Sequence, residues 1–203
     1  MILPPVLEHM KSLGHAVFTN GDYNLNLFGI RSPDKESGVF NDLIGCAYKV
    51  NGQWFVRYWE ATCDPGIYFR EKPANVAGTA ILVPGQYRNV YKINKHRGKY
   101  DALCQRNGKV TVWRDNNKDA ILDHESGTEA SGYFGINIHA SSSNPYGEDR
   151  DRDADSAQVN RWSAGCQVHA TTTGFREMME LCRKQIEKRG WKTFTYTLLD
   201  QWY

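Results

Sequence analysis

Only one stretch of this chain has the apolar spacing of a long helix, and most of the rest predicts short strands and turns. From Thr172 to Arg189, apolar residues recur every three or four positions and predict an amphipathic helix. Thr172 or Thr173 can cap its start, and Gly190 suits its end. A shorter helix is predicted over 3–14. Two helices among many strands predict a mainly β protein of the α+β class.

Turn-forming residues divide the remaining sequence into strands. The dipeptide Asn51-Gly52, inside the alternating segment 48–58, predicts a tight β-hairpin. The apolar run 78–83 predicts a buried strand that ends at Pro84-Gly85. Three more strands are expected, two of them paired through a turn at Asn107-Gly108: 102–105, 110–114 and 191–199.

Composition limits the classes of function. The 203 residues are 40% hydrophobic and carry a net charge of +2, without a concentrated basic segment. We therefore expect one domain over 1–203 and a monomer, with no nucleic acid as a partner. No apolar run is long enough to span a bilayer, so no membrane insertion is expected. The N-terminus does not resemble a signal peptide, which predicts cytoplasmic synthesis.

Candidate chemistry lies between residues 132 and 169. In the predicted strand 132–140, apolar side chains face the core, while Asn137 and His139 face a cleft or solvent. The polar segment 140–161 follows and predicts either a binding loop or a surface insertion. Five cysteines at irregular spacing do not indicate a disulfide framework. Four are expected in the core, including Cys182 in the long helix.

The fifth cysteine, Cys166, stands in the sequence Ser-Ala-Gly-Cys-Gln-Val. A glycine before a cysteine favours a tight turn whose backbone N–H groups can stabilise an oxyanion. A thiol becomes an effective nucleophile when a base takes its proton, and His139 is the candidate base. The alternative is a buried structural cysteine and a histidine that only makes hydrogen bonds.

The pair Ile138-His139, a polar loop, and the motif Ser163-x-Gly165-Cys166 resemble the catalytic domain of YkuD-type L,D-transpeptidases. The resemblance implies a β-sandwich of mixed sheets with an N-terminal and a C-terminal helix. It also implies that Cys166 attacks peptidoglycan stem peptides, that His139 is the base, and that Gly165 and Cys166 supply oxyanion donors. The carbonyl of Ala140 would orient the imidazole, and no cofactor is implied.

Two positions differ from the family pattern, in which His is frequent at position 164 and Arg or Asn at position 168. Here these residues are Ala164 and Val168. The motif also resembles phage-encoded variants, which favours a stem-peptide hydrolase that reaches the cell wall after release. Transpeptidation or carboxypeptidation of stem peptides is the first alternative. The second is an inactive module that binds the cell wall.

Further residues have weaker assignments. Ser163, Asn137 and His96 are predicted to bind substrate, and Arg97 and Lys99 could bind a carboxylate beside His96. His124 is either a supporting residue or a surface residue. A zinc site formed by His139, Cys166 and His169 is a rival hypothesis, but the spacing does not match a zinc motif. Alternating aspartates could suggest calcium, but arginines separate them: Asp149, Asp151, Asp153 and Asp155.

Overall fold

The computed structural model describes residues 2–124, 127–147 and 158–200, which contain three helices and eleven strands. The helices are α1 (Pro5–Ser12), α2 (Ile67–Glu71) and α3 (Thr172–Arg189). The strands are β1 (Asn26–Ile30), β2 (Asp42–Val50), β3 (Gln53–Thr62), β4 (Thr79–Leu82), β5 (Gly85–His96), β6 (Tyr100–Gln105), β7 (Val110–Asp115), β8 (Ala130–Gly132), β9 (Ile138–Ala140), β10 (Gln167–His169) and β11 (Phe194–Leu199).

Eight strands form a closed barrel in the order β1-β11-β5-β6-β9-β10-β3-β2, and β4, β7 and β8 form a separate small sheet. The mainly β, α+β class is confirmed. The sandwich that the resemblance implies is not shown, because the main sheet closes on itself. Closure comes from the last strand, which pairs parallel to β1 and antiparallel to β5 and so leaves the sheet without free edges.

The first hairpin forms as predicted. Strands β2 and β3 pair over nine positions, from Asp42 opposite Ala61 to Val50 opposite Gln53. Asn51 and Gly52 both have positive φ, 49° and 79°, as the tight turn between two right-twisted strands requires.

The second predicted hairpin is wrong. β6 pairs with β5 and β9, whereas β7 pairs with β4 and β8 in the other sheet. The backbone N–H groups of Arg106 and Asn107 donate to the carbonyl of Val90. The turn is therefore held against β5, and it directs the chain out of the barrel into the small sheet.

The helices follow the sequence closely, with two differences. α3 has the predicted span and ends at Gly190 in the left-handed conformation, but its cap is Thr171, whose hydroxyl accepts from Gly174 N–H at 3.1 Å. The five-residue α2 was not predicted, since it is too short to show helical periodicity. In the described part of the chain, no helix has the length and apolarity that a bilayer crossing requires.

The long helix supports the strands that carry the candidate site. Phe175, Met178 and Cys182 of its apolar stripe are fully buried, and α3 packs against β3, β9 and β10. Each large apolar side chain buried in this way stabilises the fold by roughly 1.5–3 kcal/mol. The strand that carries His139, β9, and the strand that follows Cys166, β10, thus pack against the buried side of α3.

Candidate active site

A parallel pair of short strands brings Cys166 and His139 together. In the β9–β10 pair, Val168 lies opposite His139 and Gln167 lies opposite Ile138. Cys166 immediately precedes β10, so it lies diagonally across the pair from His139. Diagonal neighbours in a sheet are roughly 7–8 Å apart at Cα, which long side chains can bridge.

The Cys166 thiol contacts two backbone groups of the segment before β9. Its Sγ lies 3.4 Å from the carbonyl of Gly135, to which the thiol donates, and accepts from Asn137 N–H at 3.5 Å. Burial raises the pKa of this thiol, and the Asn137 N–H offsets part of the rise. The thiol is therefore protonated at neutral pH and needs a base before it can act as a nucleophile.

His139 is held in the tautomer that a base requires. Its Nδ1 lies 2.8 Å from the carbonyl of Ala140, which can only accept, so Nδ1 carries the proton and Nε2 has the free lone pair. Tyr100 donates to the same carbonyl at 3.4 Å. Nε2 is buried and makes no hydrogen bond within the described residues.

Burial is also the main reason that the imidazole of His139 stays neutral. Burial, together with the neighbouring His96 and Arg97, lowers the pKa of His139 to about 3. The site thus holds a neutral thiol and a neutral imidazole, with no hydrogen bond between Sγ and Nε2 in the described residues. The raised pKa of the thiol and the lowered pKa of the imidazole both oppose proton transfer from Sγ to Nε2 in this state of the site.

Asn137 connects the thiol, the histidines and the barrel. Its backbone N–H donates to Cys166 Sγ. Its backbone carbonyl accepts from Gln167 N–H and its side-chain Oδ1 accepts from Gln105 N–H, both at 2.9 Å. Its amide group donates to His96 Nδ1 at 3.2 Å. Both backbone groups and both side-chain polar atoms of Asn137 are thus engaged. In the structure Asn137 positions the Cys166 thiol and the His96 ring, whereas its predicted contact with substrate stays a prediction.

The turn before Cys166 depends on glycine. Gly165 has φ of 118°, and a Cβ at this position would lie 2.4 Å from the carbonyl oxygen of Ala80. The buried hydroxyl of Ser163 accepts from Gly165 N–H at 3.1 Å and donates to the carbonyl of Cys166 at 2.7 Å. Ser163 therefore closes the turn. With Gly165 N–H engaged, Cys166 N–H is the better placed oxyanion donor, because the hydrogen bonds among the described residues do not use it.

Gln105 is a supporting residue that the sequence did not reveal. Its Oε1 accepts from the backbone N–H groups of residues 134, 135 and 136 at 2.9–3.2 Å. Its Nε2 donates to the carbonyls of Gly108 and Gly132. This buried side chain fixes the segment that carries the Gly135 carbonyl and the Asn137 N–H. A lone glutamine at the end of a strand gives no signal of that role in the sequence.

A small cavity of about 40 Å³ opens beside His139. His96, Arg97 and Lys99 line it, as does Trp162, so the basic residues singled out in the sequence are brought together. Trp162 and Cys166 both pack against the apolar cluster of Phe40, Val159, Val168 and Ala170. Trp162 thus lines the cavity beside the candidate base and shares an apolar cluster with the candidate nucleophile.

The remaining candidates lie elsewhere. His169 is buried in the core, where its Nε2 lies 3.3 Å from Met178 Sδ, and His124 stacks on Trp113. The described residues contain no group of three or more His, Cys, Asp or Glu side chains placed to bind a metal ion. The four alternating aspartates fall outside the described residues: Asp149, Asp151, Asp153 and Asp155.

No protein-family model, curated protein or solved structure with which the chain was compared matches it.

Proposed function

We propose that this chain is a cysteine-dependent hydrolase that cleaves a peptide bond in peptidoglycan stem peptides through an acyl-enzyme. The substrate class comes from the resemblance in the motif around Ser163, Gly165 and Cys166. Under this proposal the chain reaches the cell wall after release from the cell that makes it. Its partners are then the stem peptides themselves.

One observation carries the proposal. Cys166 lies at a glycine-dependent turn diagonally from His139, whose Nδ1 is engaged by the Ala140 carbonyl while its Nε2 has no partner in the described residues. A nucleophile, a base and a group that orients the base are the three parts that acyl transfer from a peptide to a thiol requires. The core histidine His169 also leaves one buried ring nitrogen, Nδ1, without a hydrogen bond, so the proposal depends on the place of His139 beside Cys166 and not on the free nitrogen alone.

The reaction follows from these positions. Sγ turns from the Gly135 carbonyl towards His139, gives its proton to Nε2, and attacks the substrate carbonyl carbon. The developing oxyanion accepts from Cys166 N–H, and the imidazolium then gives the proton to the leaving amine. Water, deprotonated by the same Nε2, cleaves the thioester and restores the thiol. Transpeptidation, the alternative, differs only in that an amine takes the place of this water.

The two departures from the family pattern favour hydrolysis as the first proposal. Val168 is fully buried in the apolar cluster that contains Phe40 and Val159, and the side chain of Ala164 has no polar group. Neither residue can offer the polar contacts of the residues frequent at these positions. A hydrolase needs no site for a second peptide, because water is its acceptor.

The test is digestion of purified peptidoglycan, followed by mass analysis of the fragments. New amino termini on stem peptides would support hydrolysis, whereas new cross-links or exchanged D-amino acids would instead indicate transfer. Cys166→Ala and His139→Ala should each abolish turnover. The matched control is Cys46→Ala, a buried cysteine in β2, which should keep activity if the variant folds.

A wild-type protein that binds cell-wall fragments but releases no product would overturn the proposal and leave the binding module as the explanation. Activity that survives in Cys166→Ala would overturn it as well. The fold of each variant is checked by its near-UV circular dichroism and its unfolding midpoint, so that loss of activity is not confused with loss of structure.

A further inference from the structure

A second cleft, of about 340 Å³, lies next to the turn that carries Cys166. Ala164 forms part of its wall, as do Phe134 and the exposed Tyr133. Arg114 is the charged side chain among the lining residues. We call this the Arg114 cleft. It shares no lining residue with the small cavity beside His139.

Chain continuity and strand pairing place the Arg114 cleft close to the sulfur. Arg114 is paired with Ala80 across β4 and β7, and Gly165 lies against the carbonyl of Ala80. On the other side, the guanidinium lies over the ring of Phe134 at 4.6 Å, and the next residue, Gly135, supplies the carbonyl that contacts Cys166 Sγ. Both segments that touch the nucleophile thus continue directly into the wall of the cleft.

The charge of Arg114 has no acidic partner in the part of the chain that the structure describes. The guanidinium donates to the backbone carbonyl of Gly78 at 3.2 Å, but no described carboxylate lies within ion-pair distance of it. Burial lowers the pKa of Arg114, and no neighbouring negative charge opposes this shift. By contrast, two fully buried arginines in the described ranges are both paired, Arg31 with Asp64 and Arg70 with Asp115.

A half-buried guanidinium that lies over an aromatic ring and has no counterion among the residues described suits a planar anion. Arginine presents several N–H donors in a fixed plane, which matches a carboxylate better than it matches a neutral group. Stem peptides carry free carboxylates, at the C-terminus and on the D-glutamyl residue. A peptide whose scissile carbonyl sits at Cys166 would extend past Ala164 or Phe134 and bring such a group to the cleft.

We propose that the Arg114 cleft binds a free carboxylate of the peptide on which Cys166 acts, and that Arg114 selects anionic over amidated peptides. This inference rests on the proposed function for its substrate class. The selection itself is a property of binding, and it can be measured without turnover.

The test therefore uses binding to the full-length Cys166→Ala protein, measured by titration calorimetry. The probes are the stem tetrapeptide L-Ala-γ-D-Glu-L-Lys-D-Ala and its forms amidated at the C-terminus, at the D-glutamyl carboxylate, or at both. At least one amidation should weaken binding roughly tenfold to hundredfold, the range of one charge-assisted hydrogen-bonded contact. In Cys166→Ala combined with Arg114→Gln, the acid and that amidated peptide should bind equally.

Two controls separate Arg114 from other cations. Arg57→Gln, an exposed arginine in β3, should leave the preference for the acid peptide unchanged. Arg97→Gln, in the small cavity beside His139, should also leave it in place. Arg114→Lys keeps the charge but loses the planar fork, so it should retain only part of the preference.

Equal binding of the acid and the doubly amidated peptides to Cys166→Ala would overturn the inference, even if Arg114→Gln does not fold. So would a preference that Arg97→Gln removes and Arg114→Gln leaves intact, or no detectable binding of the acid peptide. Turnover by the wild-type protein reports separately on the proposed function. A carboxylate preference without turnover would therefore contradict the enzyme while leaving Arg114 as an anion-binding residue.

Discussion

The imidazole of His96 stacks on that of His139, with ring centroids 4.1 Å apart and an interplanar angle of 24°. Two protonated rings at this separation would repel each other, and burial disfavours a charge on either ring. Burial lowers the pKa of His96 to about 4, with Arg97 and Arg106 adding to the effect, and that of His139 to about 3. Both rings are therefore neutral from pH 5 upward.

This pair predicts a loss of stability in mild acid. In the unfolded chain a histidine takes up a proton near its ordinary pKa of 6.5, whereas folded His139 does not do so until about pH 3. The stabilising contribution of the neutral ring is therefore complete above about pH 6.5 and declines as the pH falls. For His139 alone the decline between pH 7 and pH 5 is about 2 kcal/mol. Urea unfolding at the two pH values measures it.

The matched variant is His139→Gln, which removes one titrating group from the buried pair. Its free energy of unfolding should change less between pH 7 and pH 5 than that of the wild type. An equal pH dependence in the two proteins would contradict the assignment of this slope to His139.

The two predicted hairpins show that sequence patterns predict local turns but not long-range strand pairing. Asn51-Gly52 sets the hairpin of β2 and β3 because the turn conformation and strand alternation are both local. Asn107-Gly108 has a similar turn signal. However, the N–H groups of Arg106 and Asn107 donate to the carbonyl of Val90 on β5, so β6 and β7 do not pair with each other. Barrel closure through β1 and β11 is likewise a long-range pairing that no local pattern specifies.

The residues of the candidate site likewise fall into those that the sequence indicates and those that only the structure reveals. Cys166, His139 and the glycine before the cysteine stand out as residue types in a motif. Their supports are visible only in three dimensions, because Gln105 and Arg114 are distant in sequence from the groups beside which they lie. The hydrogen bonds of Ser163 and Asn137 are internal to the site, and the substrate contacts predicted for both residues stay predictions.

Gly165→Ala should destabilise the protein and abolish activity. The added Cβ would meet the Ala80 carbonyl oxygen at 2.4 Å, in a backbone conformation that is already unfavourable for alanine. The Ala80 atom belongs to the backbone of β4, so relief requires a strand to move. We expect a loss of about 2–4 kcal/mol from the free energy of unfolding, measured by urea denaturation.

The control for this change is Gly52→Ala. Gly52 also has positive φ, at 79°, but a Cβ there would meet no atom within 4 Å. This variant reports the backbone strain alone, about 1 kcal/mol. If both variants lost the same stability, the close packing of Gly165 on Ala80 would be refuted.

Gln105→Ala should loosen the segment that contacts the thiol. It leaves the backbone N–H groups of residues 134–136 without their acceptor; the one of Ile136 is buried and the other two are partly buried. An unsatisfied buried donor costs roughly 1–3 kcal/mol, so we expect a loss of about 2 kcal/mol and faster amide hydrogen exchange in 134–136. Gln53→Ala, at an exposed position in β3, should change neither quantity. Unaltered exchange in Gln105→Ala would show that the glutamine does not fix the segment.

Trp162→Ala should make Cys166 more reactive. Of the five cysteines, four are buried and Cys166 is partly exposed, and Trp162 packs against the same apolar cluster as Cys166. Burial is the main reason that the pKa of this thiol is raised. Removal of the indole should expose the thiol and lower its pKa towards the ordinary value. Below the pKa, each unit of decrease gives about tenfold more thiolate.

The measurement is the rate of iodoacetamide alkylation at pH 7.5, with the modified peptide identified by mass. The wild type should react slowly at Cys166 alone, and Trp162→Ala severalfold faster at the same residue. Trp191→Ala, which removes an exposed indole, should react like the wild type. Alkylation of Cys63 or Cys182 in Trp162→Ala would indicate general unfolding. Equal rates in Trp162→Ala and the wild type would mean that the indole does not shield the sulfur.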